Sequence, residues 1–272
     1  MVEIFDNIRK MYCFIEPSPE LTDHIEFYAE SCPVATSKYI GAKTFSVKMF
    51  PSWTPTFFIN LGGPYKISIS GHIHHIGPRQ DILVGRNSKV ERFNKLADNI
   101  FTVKFHPGGL EAVTGYSQWQ SGFANSFTDL RHILPGSLLE RLRQPLSFEK
   151  RHAIMEDYLM SALTKQKRAG HYLNIVRVCI EKYDALDMQP KANELSQKVF
   201  ASTRTINRHF NRVIGVSPKR YLSVLRARTA LTAYVSVKKD FSPIDFGYYD
   251  MSHFYREIKS FTGRKLIDQV NA

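Results

Sequence analysis

One stretch of this chain repeats itself at a fixed offset. Ser202, Ile206, Arg208, Phe210 and Gly215 are matched 48 residues later by Asp250, Phe254, Arg256, Ile258 and Gly263. The residue types correspond in order: a helix-capping oxygen, a core apolar residue, an Arg, a second core apolar residue and a glycine. Self-similarity at one period means two copies of one supersecondary unit. The Ser or Asp oxygen can accept from the free N–H groups of a first helical turn. The glycine supplies the positive φ that ends a helix. Each copy is therefore expected to be a capped, terminated helix.

Each helix has two faces. In the first copy Thr203, Ile206, Phe210 and Val213 recur at helical spacing and are expected to turn inward. Arg204, Asn207, Arg208 and Asn211 fall on the opposite side. The same offset puts Ser252, Tyr255, Arg256 and Lys259 on the second helix. Neither face carries a carboxylate. Arg can pair bidentately with guanine and Asn with adenine, while Ser, Tyr and Lys can hold phosphates. A shorter helical segment and a tight turn precede each capped helix. That is the helix-turn-helix layout, in which the second helix enters the major groove. Pro218–Val235 reads as a connecting helix of 18 residues. It would be roughly 27 Å long at 1.5 Å per residue, against ~34 Å for one DNA turn. Arg204, Asn207 and Arg208, with Ser252, Tyr255 and Arg256, are the candidate base contacts; Lys219, Arg220 and Lys259 are the phosphate candidates. The alternative is a helical bundle with a solvated basic face.

Charge separates the two halves. Residues 1–150 hold 16 Lys and Arg against 14 Asp and Glu; residues 151–272 hold 21 against 11. A basic block beside a nearly neutral one suggests a polyanion-binding module attached to something else. With 272 residues and 43% hydrophobic content, the chain suits two ordinary domains. No apolar run is long enough to span a membrane, and the first ten residues do not resemble a signal peptide. Cys13, Cys32 and Cys179 are odd in number and scattered, which predicts a reduced, cytoplasmic protein without a disulfide framework.

Roughly the first 125 residues read as strands. Tyr65, Ile67 and Ile69 alternate with polar residues, as do Phe101, Val103 and Phe105 with Thr102 and Lys104, so both stretches predict half-buried strands. Phe57–Leu61, Ile82–Val84 and Tyr39–Met49 are further candidates, separated by Pro and Gly turns. Short strands so punctuated predict a small barrel or sandwich. From Ser126 the pattern turns helical. Ser147 is a candidate N-cap for a helix with Phe148, His152, Met155, Leu159 and Leu163 on one face, a face expected to pack on its own domain. The linker is placed at Thr164–Gly170. Tyr172, Val176, Cys179 and Tyr183 mark the next helix. Pro190 suits the first turn of another, which runs to about Val199.

The two copies resemble the AraC family of bacterial transcription regulators. Ser202, Arg204, Ile206, Arg208 and Phe210, then Gly215-Val216-Ser217-Pro218, Tyr221, Arg226 and Ala230, are similar to that family's first helix-turn-helix and linker helix. Gly247 to Gly263, GYYDMSHFYREIKSFTG, is similar to its second recognition region. Ser242-Pro243-Ile244-Asp245-Phe246 stands where the family usually opens its second unit with a full helix, and Pro243 forbids a continuous one. Arg264-Lys265 replaces the Ser-Pro that often follows the final Gly. In the first half, Phe105–Gly115 and Leu83–Gly85 resemble the cupin-like sensory domain of some members. The resemblance implies an α+β chain: a β-rich sensory or dimerising domain over 1–165 and a double helix-turn-helix domain over 166–272. It implies double-stranded DNA, read in the major groove, as partner. A small-molecule effector, a second copy of the chain and RNA polymerase are further candidate partners. No cofactor and no membrane partner is expected.

Enzyme chemistry finds little footing. His72, His74 and His75, with His106, invite a metal-binding cupin reading, but no Glu follows at the expected spacing, and a polar hairpin turn is the plainer interpretation. A metal-dependent cupin enzyme with an accessory helical domain is the alternative function. Nucleophile-elbow, HExxH and P-loop motifs are absent. Asp23-His24 near Glu26 reads as a capped helix. His253 is expected to serve its helix start rather than phosphate. Arg226 is expected to brace the two units through a buried carboxylate, since buried Arg is tolerated only when paired. Trp53, Phe57, Phe58, Phe101, Phe105, Trp119 and Phe123 can pack a core or line an apolar pocket, and core packing is the plainer reading.

Overall fold

The computed structural model describes residues 11–39, 44–49, 51–117, 127–166, 170–186, 188, 192–237 and 239–262. The chain divides into two compact units on either side of Ala169/Gly170.

The first unit contains ten strands: β1 (Tyr12–Ile15), β2 (Ile25–Ser31), β3 (Thr44–Met49), β4 (Thr56–Asn60), β5 (Tyr65–Ile69), β6 (His72–Ile76), β7 (Ile82–Val84), β8 (Val90–Lys95), β9 (Ile100–Phe105) and β10 (Phe127–Asp129). Four helices join them: α1 (Pro33–Tyr39), α2 (Gly109–Thr114), α3 (Gly136–Leu142) and α4 (Phe148–Lys165). One sheet runs β1-β2-β9-β4-β7-β10 and the other β3-β8-β5-β6. Every recorded pairing is antiparallel. This is the expected β-rich first half, built as two sheets.

Alternation along the strands divides the interior in two. Phe57, Ile59, Phe101, Val103 and Phe105 point to one side, where Leu110, Leu138, Leu139, Phe148, Met155 and Leu159 of the helices cover them. Phe58, Tyr65, Ile67, Ile69, Val84 and Val90 form a second core. Lying between β2 and β4, β9 is buried on both faces, so the expected half-exposed pattern fails there. Lys104 is only 1% exposed and meets Glu26 Oε2 at 3.1 Å.

The α4 stripe packs on its own unit, as expected, behind a Ser147 cap whose Oγ accepts from Lys150 N at 3.4 Å. Arg151 of that helix donates through Nε to Leu142 O (2.8 Å) and through Nη2 to Leu146 O (2.8 Å), and its Nη1 reaches Glu30 Oε2 at 2.6 Å. It thus satisfies the last carbonyl of α3 and one just past its end. Gly109 is obligatory: a Cβ there would lie 2.0 Å from His24 O.

Several local expectations are corrected. Tyr39 ends α1, and β3 begins only at Thr44. Residues 127–129 are a strand, so the helical region starts later than Ser126. His72–His75 lie on β6; the turn before it uses Ser70 and Gly71, both at positive φ. Asp23 and His24 sit in a turn and Glu26 on β2, so no capped helix forms there. Trp119, Phe123, Ser126, Pro190 and Gly263–Lys265 lie outside the described residues, as do residues 167–169 of the expected linker, of which α4 takes Thr164 and Lys165. Among the described residues no helix is long and apolar enough to cross a membrane, and Cys13, Cys32 and Cys179 are free thiols.

The second unit is helical: α5 (His171–Asp184), α6 (Ala192–Val199), α7 (Thr203–Val213), α8 (Pro218–Ser236) and α9 (Met251–Thr262), with a single 3-10 turn at Ile244–Phe246.

Candidate nucleic-acid interface

The first repeat copy is α6 and α7 joined by Phe200, Ala201 and Ser202. Ser202 Oγ accepts from Thr205 N at 3.1 Å, the expected cap. Gly215, at φ +83°, supplies the left-handed residue after α7. Ile206, Phe210 and Val213 are buried, with Phe210 packed 5.9 Å from the Tyr221 ring of α8. Thr203 is exposed rather than inward. As the first residue after the cap it has no turn beneath it to pack on.

Arg204, Arg208 and Asn211 are exposed and Asn207 is half-buried. The two amides fold back along the helix, Asn207 Nδ2 to Thr203 O (3.0 Å) and Asn211 Nδ2 to Asn207 O (2.9 Å). Each keeps its side-chain oxygen as an acceptor. His209, on the flank, has its pKa lowered by burial and by the cationic Arg208 beside it. Arg212 lies 3.7 Å over the Tyr172 ring, which ties α7 to α5.

The second copy reaches a similar helix by another route. Pro243 allows only one 3-10 turn, closed by Gly247 at φ +70°. Aromatic packing replaces the missing helix. Phe254, fully buried, lies 4.9 Å from Phe241, 5.3 Å from Tyr248 and 5.7 Å from Tyr234 between ring centroids. Phe241 also stacks on Phe246 at 5.5 Å. Asp250 Oδ1 accepts from His253 N at 2.7 Å, the expected cap. The His253 ring packs edge-on against Tyr248 and accepts weakly from Tyr249 N at 3.4 Å, a role at the helix start.

Ser252, Arg256 and Lys259 are exposed on α9. Tyr255 is half-buried and its hydroxyl lies 3.4 Å from that of Tyr234. Burial, helped by this neighbour, pushes the Tyr234 hydroxyl up to about 12. Lys219 and Arg220 open α8 behind a Ser217 cap. Both are exposed, and the Arg220 guanidinium lies 4.9 Å over the Phe261 ring.

Helix α8 packs against both α7 and α9. Its 19 residues span about 28 Å. Arg226 does meet a carboxylate, Glu257 Oε2 at 3.0 Å, and lies 4.8 Å over the Tyr248 ring. Burial opposes its charge, and the Glu257 carboxylate more than offsets that, so its pKa is raised. The pair joins α8 to α9 only, so Arg226 braces the second unit rather than both. Glu257 was the residue missed; its place four residues before Phe261 in the apolar stripe was the available signal.

Residues 195–267 match a family model described as a helix-turn-helix domain. This segment is a helix-turn-helix domain. The helix-turn-helix domain thus takes in both repeated helices, α7 and α9, and the helix between them. Among solved structures, ToxT from Vibrio cholerae is similar at 11% identity, over 84% of this chain and 97% of that one, with a TM-score of 0.49. A ToxT complex with (E)-4-(8-methylnaphthalen-1-yl)but-3-enoic acid aligns at 12% identity over 84% and 97%, TM-score 0.48. The AraC-like transcriptional activator CuxR aligns at 12% identity over 84% and 88%, TM-score 0.33. No curated protein matches the chain.

The metal reading gains no geometry. His72 and His74 share one face of β6 and His75 takes the other. Among the described residues no group of three or more His, Cys, Asp or Glu could hold a metal.

Proposed function

We propose that the chain is a sequence-specific DNA-binding transcription regulator of the cytoplasm, in which the β-rich unit governs the helical one through a small-molecule effector. The observation that carries the DNA-binding part is the exposed face of α7: Arg204, Arg208 and Asn211, on a capped helix anchored by buried Ile206 and Phe210, with no carboxylate among them. Arg204, Asn207 and Arg208 are assigned to bases in one major-groove segment, and Ser252, Tyr255 and Arg256 to bases in the next. Lys219, Arg220 and Lys259 are assigned to phosphates, with Asn211 at the edge of the first contact. The Tyr255 hydroxyl faces Tyr234 and Arg256 Nε faces Ser252 O at 3.3 Å, as the Asn207 and Asn211 amides of the first helix face backbone carbonyls, so each helix has two of its four candidate side chains already engaged. What supports effector control is the cavity between the two sheets.

Selecting bound sites from a random duplex pool with the full chain tests this. Two short half-motifs about ten base pairs apart are expected. Arg208→Ala should cost about 1–3 kcal/mol and relax preference at one base pair. An unchanged affinity for the selected site would overturn the face assignment.

A further inference from the structure

We propose that Phe200 and Tyr249 are DNA contacts, each reading a thymine methyl group at the edge of one half-motif. Theirs are the two most exposed aromatic rings among the described residues, at 97% and 87%; Phe93, at 38%, comes next. They occupy the same place in the two repeat copies. Phe200 stands two residues before the Ser202 cap of α7, and Tyr249 one residue before the Asp250 cap of α9. The backbone beneath each is fixed. Phe200 N donates to Gln197 O at 3.3 Å and Ala201 N to Ser196 O at 3.2 Å, while Tyr249 N donates to His253 Nδ1 at 3.4 Å. Phe200 is also held at φ +54°, a conformation that is costly for a residue with a side chain. The fold gains nothing from the Phe200 ring and bears a strain to hold it in solvent. A strained residue that packs on nothing in its own chain points to contact with another molecule.

Position and chemistry select duplex DNA as that molecule. Arg204 follows Phe200 by four residues and Ser252 follows Tyr249 by three. Each ring thus marks the end of its helix at which the base contacts of a helix-turn-helix concentrate. The thymine C5 methyl is the apolar group that a base edge presents in the major groove, and it suits an aromatic ring. Guanine, adenine and cytosine offer donors and acceptors there, which a ring would strip of water without replacing it. From Leu195 to Gly215 the chain has no Asp or Glu, so the first copy opposes no approach of DNA. In the second copy Asp245 and Asp250 lie near Tyr249 in sequence, and Asp250 Oδ1 is taken up by His253 N at 2.7 Å. A methyl group, unlike a phosphate, is indifferent to their charge. The assignment adds one reader to each DNA-binding face proposed above, and it rests on that reading.

The test uses the full chain and the selected duplex, with affinity read by fluorescence anisotropy. A thymine is expected at one edge of each half-motif. Replacing it with deoxyuridine removes the methyl alone and should weaken binding about fourfold, the worth of one buried methyl. Phe200→Gly, which relieves the backbone, should bind the thymine duplex about fourfold more weakly and lose its preference for thymine over uracil at one half-motif only. Tyr249→Ala should do the same at the other half-motif, and Tyr249→Phe, which keeps the ring, should not. The salt dependence of each variant should match that of the parent, since no charge is removed. Phe200→Asn, which also tolerates the left-handed backbone, serves if Phe200→Gly fails to fold. Absence of a thymine at a half-motif edge, or a folded variant that binds or discriminates thymine from uracil as the parent does, would overturn the assignment of that residue. Failure of the parent to select any sequence would overturn the function proposed above, and this assignment with it.

Discussion

Glu257→Leu should loosen the second recognition helix from the helix that carries it. The carboxylate meets Arg226 at 3.0 Å, with side-chain exposures of 16% and 21% respectively. Breaking a fully buried pair costs about 3–5 kcal/mol, and exposed pairs are worth about 0.2–1 kcal/mol. This pair lies between those limits, so about 2 kcal/mol is expected for Glu257→Leu, because Arg226 stays charged against the Tyr248 ring. Arg226→Met should cost somewhat less, since a stranded carboxylate can take up a proton. The double variant replaces both charges with apolar groups of similar length, so it should cost less than the sum by at least about 1 kcal/mol. Urea unfolding followed by helical circular dichroism gives the cycle. Hydrogen exchange over residues 251–262 localises it, with faster exchange expected in Glu257→Leu. The second half-motif should then weaken more than the first. A coupling below about 0.5 kcal/mol, within ordinary additivity error, would refute the claim that this ion pair seats α9.

Three further outcomes follow from individual residues. Lys219→Ala should weaken binding to all sequences alike and reduce the slope of log affinity against log salt by about 1; a loss confined to one base pair would contradict its phosphate role. Phe200 is 97% exposed at φ +54°, and the left-handed region costs a side chain about 1–2 kcal/mol against roughly 0.5–1 kcal/mol of extra chain entropy for glycine. Phe200→Gly should therefore stabilise the helical unit by up to about 1 kcal/mol in urea unfolding, and a clear loss would show that the ring has a packing role. His209 has a folded pKa below its unfolded value, so the unfolded chain binds the proton first and stability falls as pH drops through about 6.5. His209→Gln should show a smaller loss of stability than the parent between pH 7.5 and 5.5; equal losses would remove His209 as the cause.

Alternation and capping were legible where a residue's partners lie close in sequence. Ser147, Ser202 and Asp250 cap as their spacing implies, because an N-cap bond reaches only three residues ahead. The strands β5, β7 and β9 fall where their alternation or apolar run placed them. β9 departs in burial alone: whether Thr102 and Lys104 meet water depends on a second sheet that joins from elsewhere in the chain. The aromatics divide in the same way. Phe57, Phe101 and Phe105 pack under the helices, while Phe58 joins Tyr12, Phe14 and Phe27 at the cavity. No local pattern distinguishes these fates, since each strand is buried on both sides.

A helix carries its period, its cap and its stop within a dozen consecutive residues, so the duplicated unit, its donor-rich faces and the long helix between the copies were written in the chain itself. Pairings across long separations were not: Arg226 with Glu257, Arg151 with Glu30 and Lys104 with Glu26 exist only once distant strands and helices meet. Charge and hydrogen bonding act over a few ångströms of space, and only folding decides which residues share that space.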